Sequence, residues 1–173
     1  MTYTSVAEIY EGIERTREQF YSRVEGLSDE QAGARTSPEG WSVADIAEHL
    51  ALIERSLLRM MKGVLAQAEA AGGAGAMRPF SLEHHEERAR TEKYVAPERA
   101  RPKGEARLAD SLAHLRRSRE ELRALRPRIE ATDLNAASYP HPAFGPLNFY
   151  QWLAFIGIHE ERHLAQIEKT VSS

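Results

Sequence analysis

Apolar side chains recur at three- and four-residue intervals in four stretches of this chain, the spacing that lines one face of a helix. The first begins after Ser5, whose hydroxyl caps while Glu8 reaches back. Val6, Ile9, Ile13, Phe20, Val24 and Leu27 form its seam, with Arg17 on the same line. Ser28 to Gly40 reads as a polar loop closed by the turn Ser37-Pro38-Glu39-Gly40. The second helix starts at Ser42, followed three residues on by Asp45, with Trp41 placed to staple onto Ile46. Ile46, Leu50, Ile53, Leu57, Met60 and Val64 make its seam, His49 flanks it, and Gly72-Gly73-Ala74-Gly75 stops it after about Ala71.

The third helix is expected over about Glu105–Glu130, with Leu108, Leu112, Leu115, Leu122, Leu125 and Ile129 on its seam beside Arg119, and with Pro127 disturbing its last turn. The fourth runs from Leu147 to Val171, with Asn148 and Gln151 reciprocating at its start and Leu147 placed to staple onto Trp152. Residues 72–104, interrupted by Pro79, Pro97 and Pro102, form a long excursion between helices with one short helix, Leu82 to Thr91. No stretch alternates in the manner of a strand. Four amphipathic helices predict an all-α chain, a four-helix bundle of one domain over 1–173.

Composition narrows the chemistry. A chain of 173 residues buries a core without staples, and the absence of cysteine excludes disulfides, thiolate metal sites and a cysteine nucleophile. The longest apolar run, Trp152 to Ile158, is far short of the roughly 20 residues that span a membrane, and the N-terminus has no signal-peptide pattern, so a cytoplasmic protein is expected. A net charge of −3 with interspersed signs offers no footprint for nucleic acid.

Against that background, histidine placement stands out. His159 and His163 are four residues apart on the fourth helix and so point the same way, one turn apart, along a buried seam. Buried imidazoles need partners, since an unsatisfied polar group costs about 1–3 kcal/mol. Together with His49 they make a three-histidine set suited to Zn²⁺ or Ni²⁺ that leaves positions open for water or substrate. Gln166, one turn beyond His163, is placed to orient it. His159-Glu160-Glu161-Arg162-His163 also matches H-E-x-x-H, in which Glu160 is a base toward water. A zinc protease is not expected, because only ten residues follow His163 and no sheet accompanies the motif; Glu160 is either a catalytic base or a bundle-packing residue. A di-iron bundle needs a second Glu-x-x-His pair on another helix, which is absent. His84, His85 and His114 fall on charged, exposed segments. Arg17 and Arg119 either reach into the cleft to hold an anionic substrate or, the commoner arrangement, snorkel at a helix edge. Trp41 and Trp152 read as staple and core.

The stretch Trp41-Ser42 through His49-Leu50 resembles the W-S-x-x-x-x-x-x-H-L element of the DinB-like (DinB/YfiT-like) superfamily of metalloenzymes. His141-Pro142-Ala143-Phe144-Gly145, followed by His159-Glu160-Glu161-Arg162-His163-Leu164-Ala165-Gln166-Ile167, is similar to that family's C-terminal signature. The resemblance implies an up-down-down-up four-helix bundle, often a homodimer, with a divalent metal on His49, His159 and His163, and it places His141 in a structural or supporting role. It also implies a small-molecule substrate and, from activities among relatives, a low-molecular-weight thiol as cosubstrate. Two expectations follow: a metal-dependent hydrolase or thiol-dependent transferase or isomerase, or a non-catalytic, dimeric bundle in which metal is structural or absent.

Overall fold

A computed structural model describes residues 2–92 and 94–171. Met1, Lys93, Ser172 and Ser173, which the single-domain expectation includes, lie outside the described residues. Four long helices carry the fold: α1 (Val6–Val24), α3 (Val43–Ala70), α5 (Leu108–Ala131) and α6 (Phe149–Val171). Between them lie a short α2 (Asp29–Gly33), a nine-residue α4 (Glu83–Thr91) and a single 3-10 turn, Glu98–Ala100. Among the described residues two small antiparallel strand pairs join them: β1 (Thr2–Tyr3) with β2 (Phe80–Ser81), and the hairpin β3 (Ser138–His141) with β4 (Gly145–Asn148).

Cross-helix pairs give the helix directions. Glu54, Lys62 and Glu69 on α3 meet Arg119, Glu121 and Arg128 on α5, rising together along both, so α3 and α5 run parallel. Arg17 and Arg23 meet Glu160 and Glu168, so α1 and α6 are parallel too. Glu14 and Glu25 meet Arg123 and Arg116 in the opposite sense, setting α1 antiparallel to α5. The order is up-down-down-up. A parallel α3–α5 pair obliges the chain to travel back the length of α3, about 40 Å for its 28 residues. The 72–104 excursion is that return.

The predicted helix starts are formed by the side chains named for them. Ser42 and Asp45 make a reciprocal capping box, and Asp45 also meets Arg35 at 2.7 Å. Asn148 and Gln151 exchange bonds at the start of α6. Ser5 caps α1 by accepting from the Glu8 amide, but the Glu8 carboxylate turns to the Thr4 amide and hydroxyl. Three expectations are corrected. The loop at Ser28–Gly40 opens with α2, because Ser28 and Gln31 form a second capping box and Ala32 is buried. The helix over α5 begins three residues later than expected and runs through Pro127 to Ala131, with Leu125 and Ile129 buried on either side of the proline. Where no strand is expected, Tyr139-Pro140-His141 forms one arm of a hairpin whose turn uses Gly145 at φ +76°, a conformation glycine takes without a Cβ clash.

Apolar residues divide into two clusters, one centred on Ile9, Ile13, Met61, Leu122, Tyr150 and Leu153, the other on Phe20, Ile46, Leu50, Leu112, Leu115 and Ile167. Among the described residues, no helix is long and apolar enough to cross a membrane.

Candidate metal centre

His49 lies on the buried face of α3 in its second turn, and His159 and His163 sit one turn apart on α6; His49 and His163 are 3% and 5% exposed. Their three Nε2 atoms converge. His159 Nε2 lies 3.2 Å from His49 Nε2 and 3.1 Å from His163 Nε2, and all three donor atoms fall within 4.8 Å of one another. Three nitrogens each about 2.0–2.1 Å from one tetrahedral ion lie about 3.3 Å apart, so the two separations at His159 Nε2 match those about a single divalent cation.

The far side of two rings decides which nitrogen is available. His49 Nδ1 donates to the Ala100 carbonyl at 2.6 Å, and His163 Nδ1 donates to Gln166 Oε1 at 2.7 Å. A carbonyl oxygen only accepts, so each Nδ1 carries the proton and each Nε2 presents its lone pair to the centre. Burial lowers all three pKa values. For His159 the value falls well below the ordinary histidine value, with His163 and His49 adding repulsion. For His163 it falls to about 3, and for His49 burial outweighs the pull of the Ala100 bond. Neutral imidazoles are the form that binds metal.

The centre forms the floor of a cavity of about 1100 Å³, open on one side. Trp41 stacks on His163, centroids 6.1 Å apart and planes 15° from parallel, and also packs against His49 at 4.8 Å. His141 lines the same cavity, wedged among Phe144, Trp152 and Phe155 at 4.8–4.9 Å. Its Nδ1 accepts from the Ala143 amide, leaving Nε2–H as the donor side of the ring, and burial lowers its pKa to about 4. The Trp152 indole N–H donates to the Tyr139 carbonyl, fixing the hairpin against α6.

The structure gathers His49, His159, His163, Gln166 and His141 about one cavity and sends Glu160 elsewhere. Glu160, open on sequence alone to a catalytic-base or a packing role, is 1% exposed and faces the bundle interior, where Arg17 binds Oε1 and Arg119 binds Oε2 at 3.2 Å. One residue along an ideal helix turns about 100°, enough to carry Glu160 off the histidine face, and both its oxygens are occupied. Arg17 and Arg119 are 2% exposed and neither snorkel nor enter the cleft. Trp41, read as a staple, also forms a wall of the centre.

Sequence reasoning missed the strap formed by the returning excursion. Ala100 reaches His49, while the Lys103 and Gly104 amides both donate to Glu48 one residue before it, at 3.2 Å. Gly104 supports this turn at φ +71°, where an added Cβ would approach Asp45 Oδ1. The Pro97 and Pro102 pair bracketing the strap was its only sequence signal, since the contacting atoms are backbone.

The DinB superfamily model matches residues 13–167. This chain belongs to the DinB superfamily. It is 30% identical over 153 residues to the uncharacterized protein YuaE of Bacillus subtilis, covering 86% of this chain and 88% of that one. Two solved structures share the fold, each at a TM-score of 0.63. TT2238, a four-helix bundle protein, is 23% identical over 94% of this chain and 96% of its own. YfiT from Bacillus subtilis, described as a probable metal-dependent hydrolase with an unusual four-helix bundle topology, is 20% identical over 96% of this chain and 85% of its own.

Proposed function

We propose that this DinB-family chain is a metal-dependent enzyme that holds Zn²⁺ or Ni²⁺ on His49, His159 and His163 and acts on a small molecule, as a hydrolase or as a transferase using a low-molecular-weight thiol. The observation that carries this reading is the convergence of three Nε2 lone pairs on the floor of an open cavity. A purely structural three-histidine site has no need of such a cavity. The description of YfiT as a probable metal-dependent hydrolase supports the same direction.

A divalent cation held there supplies Lewis acidity, able to polarise a carbonyl or to lower the pKa of a water or thiol. The chain's own groups do the rest. Ala100 and Gln166 hold two rings in the metal-binding tautomer. Trp41, Trp152 and Phe155 line the cavity beside the centre with low-dielectric surface, which strengthens electrostatic contacts made there. His141 offers its Nε2–H as a hydrogen-bond donor toward a bound ligand. With Glu160 committed to arginines, proton acceptance falls to the substrate, to the thiol or to solvent at the mouth.

Elemental analysis of untagged protein, alongside His49→Ala, His159→Ala and His163→Ala, tests the reading. Near-stoichiometric Zn or Ni, lost in each variant, is expected. A wild type that takes up neither metal, or a His163→Ala variant that keeps full occupancy, sinks it.

A further inference from the structure

Charge on the described residues lining the cavity opposes that of the whole chain. The chain carries a net −3, yet the lining contains Arg99, Arg101, Arg162 and Lys169 against one carboxylate, Glu39. A cavity lined by one sign on low-dielectric walls focuses its field on an incoming ligand of the other sign. Most of these cations are engaged. Arg162 donates to the Ala89 and Glu92 carbonyls and lies over the Tyr94 ring, Arg101 donates to the Ala96 carbonyl, and Lys169 also has a partner. Among the described residues Arg99 makes no hydrogen bond and no ion pair. It precedes Ala100, whose carbonyl is tied to His49, so the backbone that carries Arg99 is anchored to the centre itself.

Ile53, Leu57, Phe144, Trp152 and Phe155 supply apolar wall to the same cavity. We propose that the cavity takes a small organic carboxylate, its apolar body against these walls and its carboxylate on the Arg99 guanidinium; this rests on reading the cavity as the enzyme's substrate site. One unengaged guanidinium fork matches one carboxylate through two parallel hydrogen bonds, whereas a phosphate dianion would call for more unengaged cations than the mouth offers.

The test is calorimetric titration with phenyl-substituted alkanoic acids of graded chain length, each paired with its neutral amide, on the protein as purified and after chelation. The best acid is expected to bind at least about tenfold more tightly than its amide in both forms. In Arg99→Gln that preference should fall below about threefold while the amide binds as before. Equal binding of acid and amide, binding of neither, a preference that survives Arg99→Gln, or one present only with metal bound each overturns the proposal. A preference that persists in chelated protein supports it even where elemental analysis finds no metal, so its failure and that of the metal reading are separable.

Discussion

Arg17 of α1 and Glu160 of α6 form an ion pair at the bundle centre, with 2% and 1% of their surfaces exposed. Arg119 of α5 and Glu54 of α3 complete the group. Each guanidinium meets both carboxylates, and the spare donors go to the Leu115 and Ile13 carbonyls. One residue comes from each long helix, and the two cations balance the two anions. Burial works against the charged form of Arg17, but Glu160 and Glu54 outweigh it and hold its pKa above the ordinary arginine value. Such a set adds little net stability over an apolar core, yet breaking it strands a charge.

Glu160→Gln should therefore lower stability by about 3–5 kcal/mol, since it leaves two buried guanidinium groups with one buried carboxylate, Glu54, and the more exposed Glu14 3.9 Å from Arg119. For a chain of this length that is a fall in Tm of roughly 6–20 °C. Arg17→Met combined with Glu160→Leu keeps the charge balanced by Arg119 and Glu54, and should be more stable than Glu160→Gln alone. Chemical denaturation of the three proteins decides; a double variant weaker than the single one would contradict the charge-balance account.

Gln166→Ala removes the acceptor that holds the His163 ring by Nδ1. Losing the orienting partner of a metal-binding imidazole typically weakens affinity by about 10–100-fold. Competition against a zinc chelator should show that loss with Tm of the metal-free protein nearly unchanged. A large Tm fall with intact affinity would mean Gln166 serves the helix instead of the centre.

Acid should weaken the metal-free fold. Burial keeps the His163 pKa near 3 and lowers those of His159 and His49, so the native state stays neutral where the unfolded chain, with histidine near 6.5, takes up protons. The unfolded state then binds more protons, and stability rises with pH across that window and falls as pH drops below about 6.5. Each histidine that stays neutral contributes about 1.4 kcal/mol per pH unit. Urea denaturation of chelated protein at pH 7.5 and 5.5 should show the loss, and His163→Ala should reduce the slope.

Ser42→Ala deletes one half of the box that starts α3, the helix carrying His49. A cost of about 1 kcal/mol is expected, within the usual 0.5–2 kcal/mol range for a lost N-cap. Thermal unfolding measures it directly. A neutral result would mean that Asp45, held by Arg35, sets the helix start alone.

Local chemistry and periodicity determined much of this protein. Ser42 with Asp45 and Asn148 with Gln151 mark helix starts through contacts three residues apart, and the four-residue spacing of His159 and His163 places both imidazoles on one face wherever the helix packs. Sequence also grouped His49 with them from its place beside the second helix's seam, the W-S-x-x-x-x-x-x-H-L resemblance implying the same three, and placed Gln166 one turn from its partner. Tertiary structure decided what depends on contacts distant in the chain. Glu160 could face the histidines or the core, and only the approach of Arg17 and Arg119 from two other helices settled it. The strap over His49 was illegible because its contact is the Ala100 carbonyl, a group every residue carries. Its position follows from the parallel packing of α3 and α5, which forces the excursion back across the face of α3 where His49 lies.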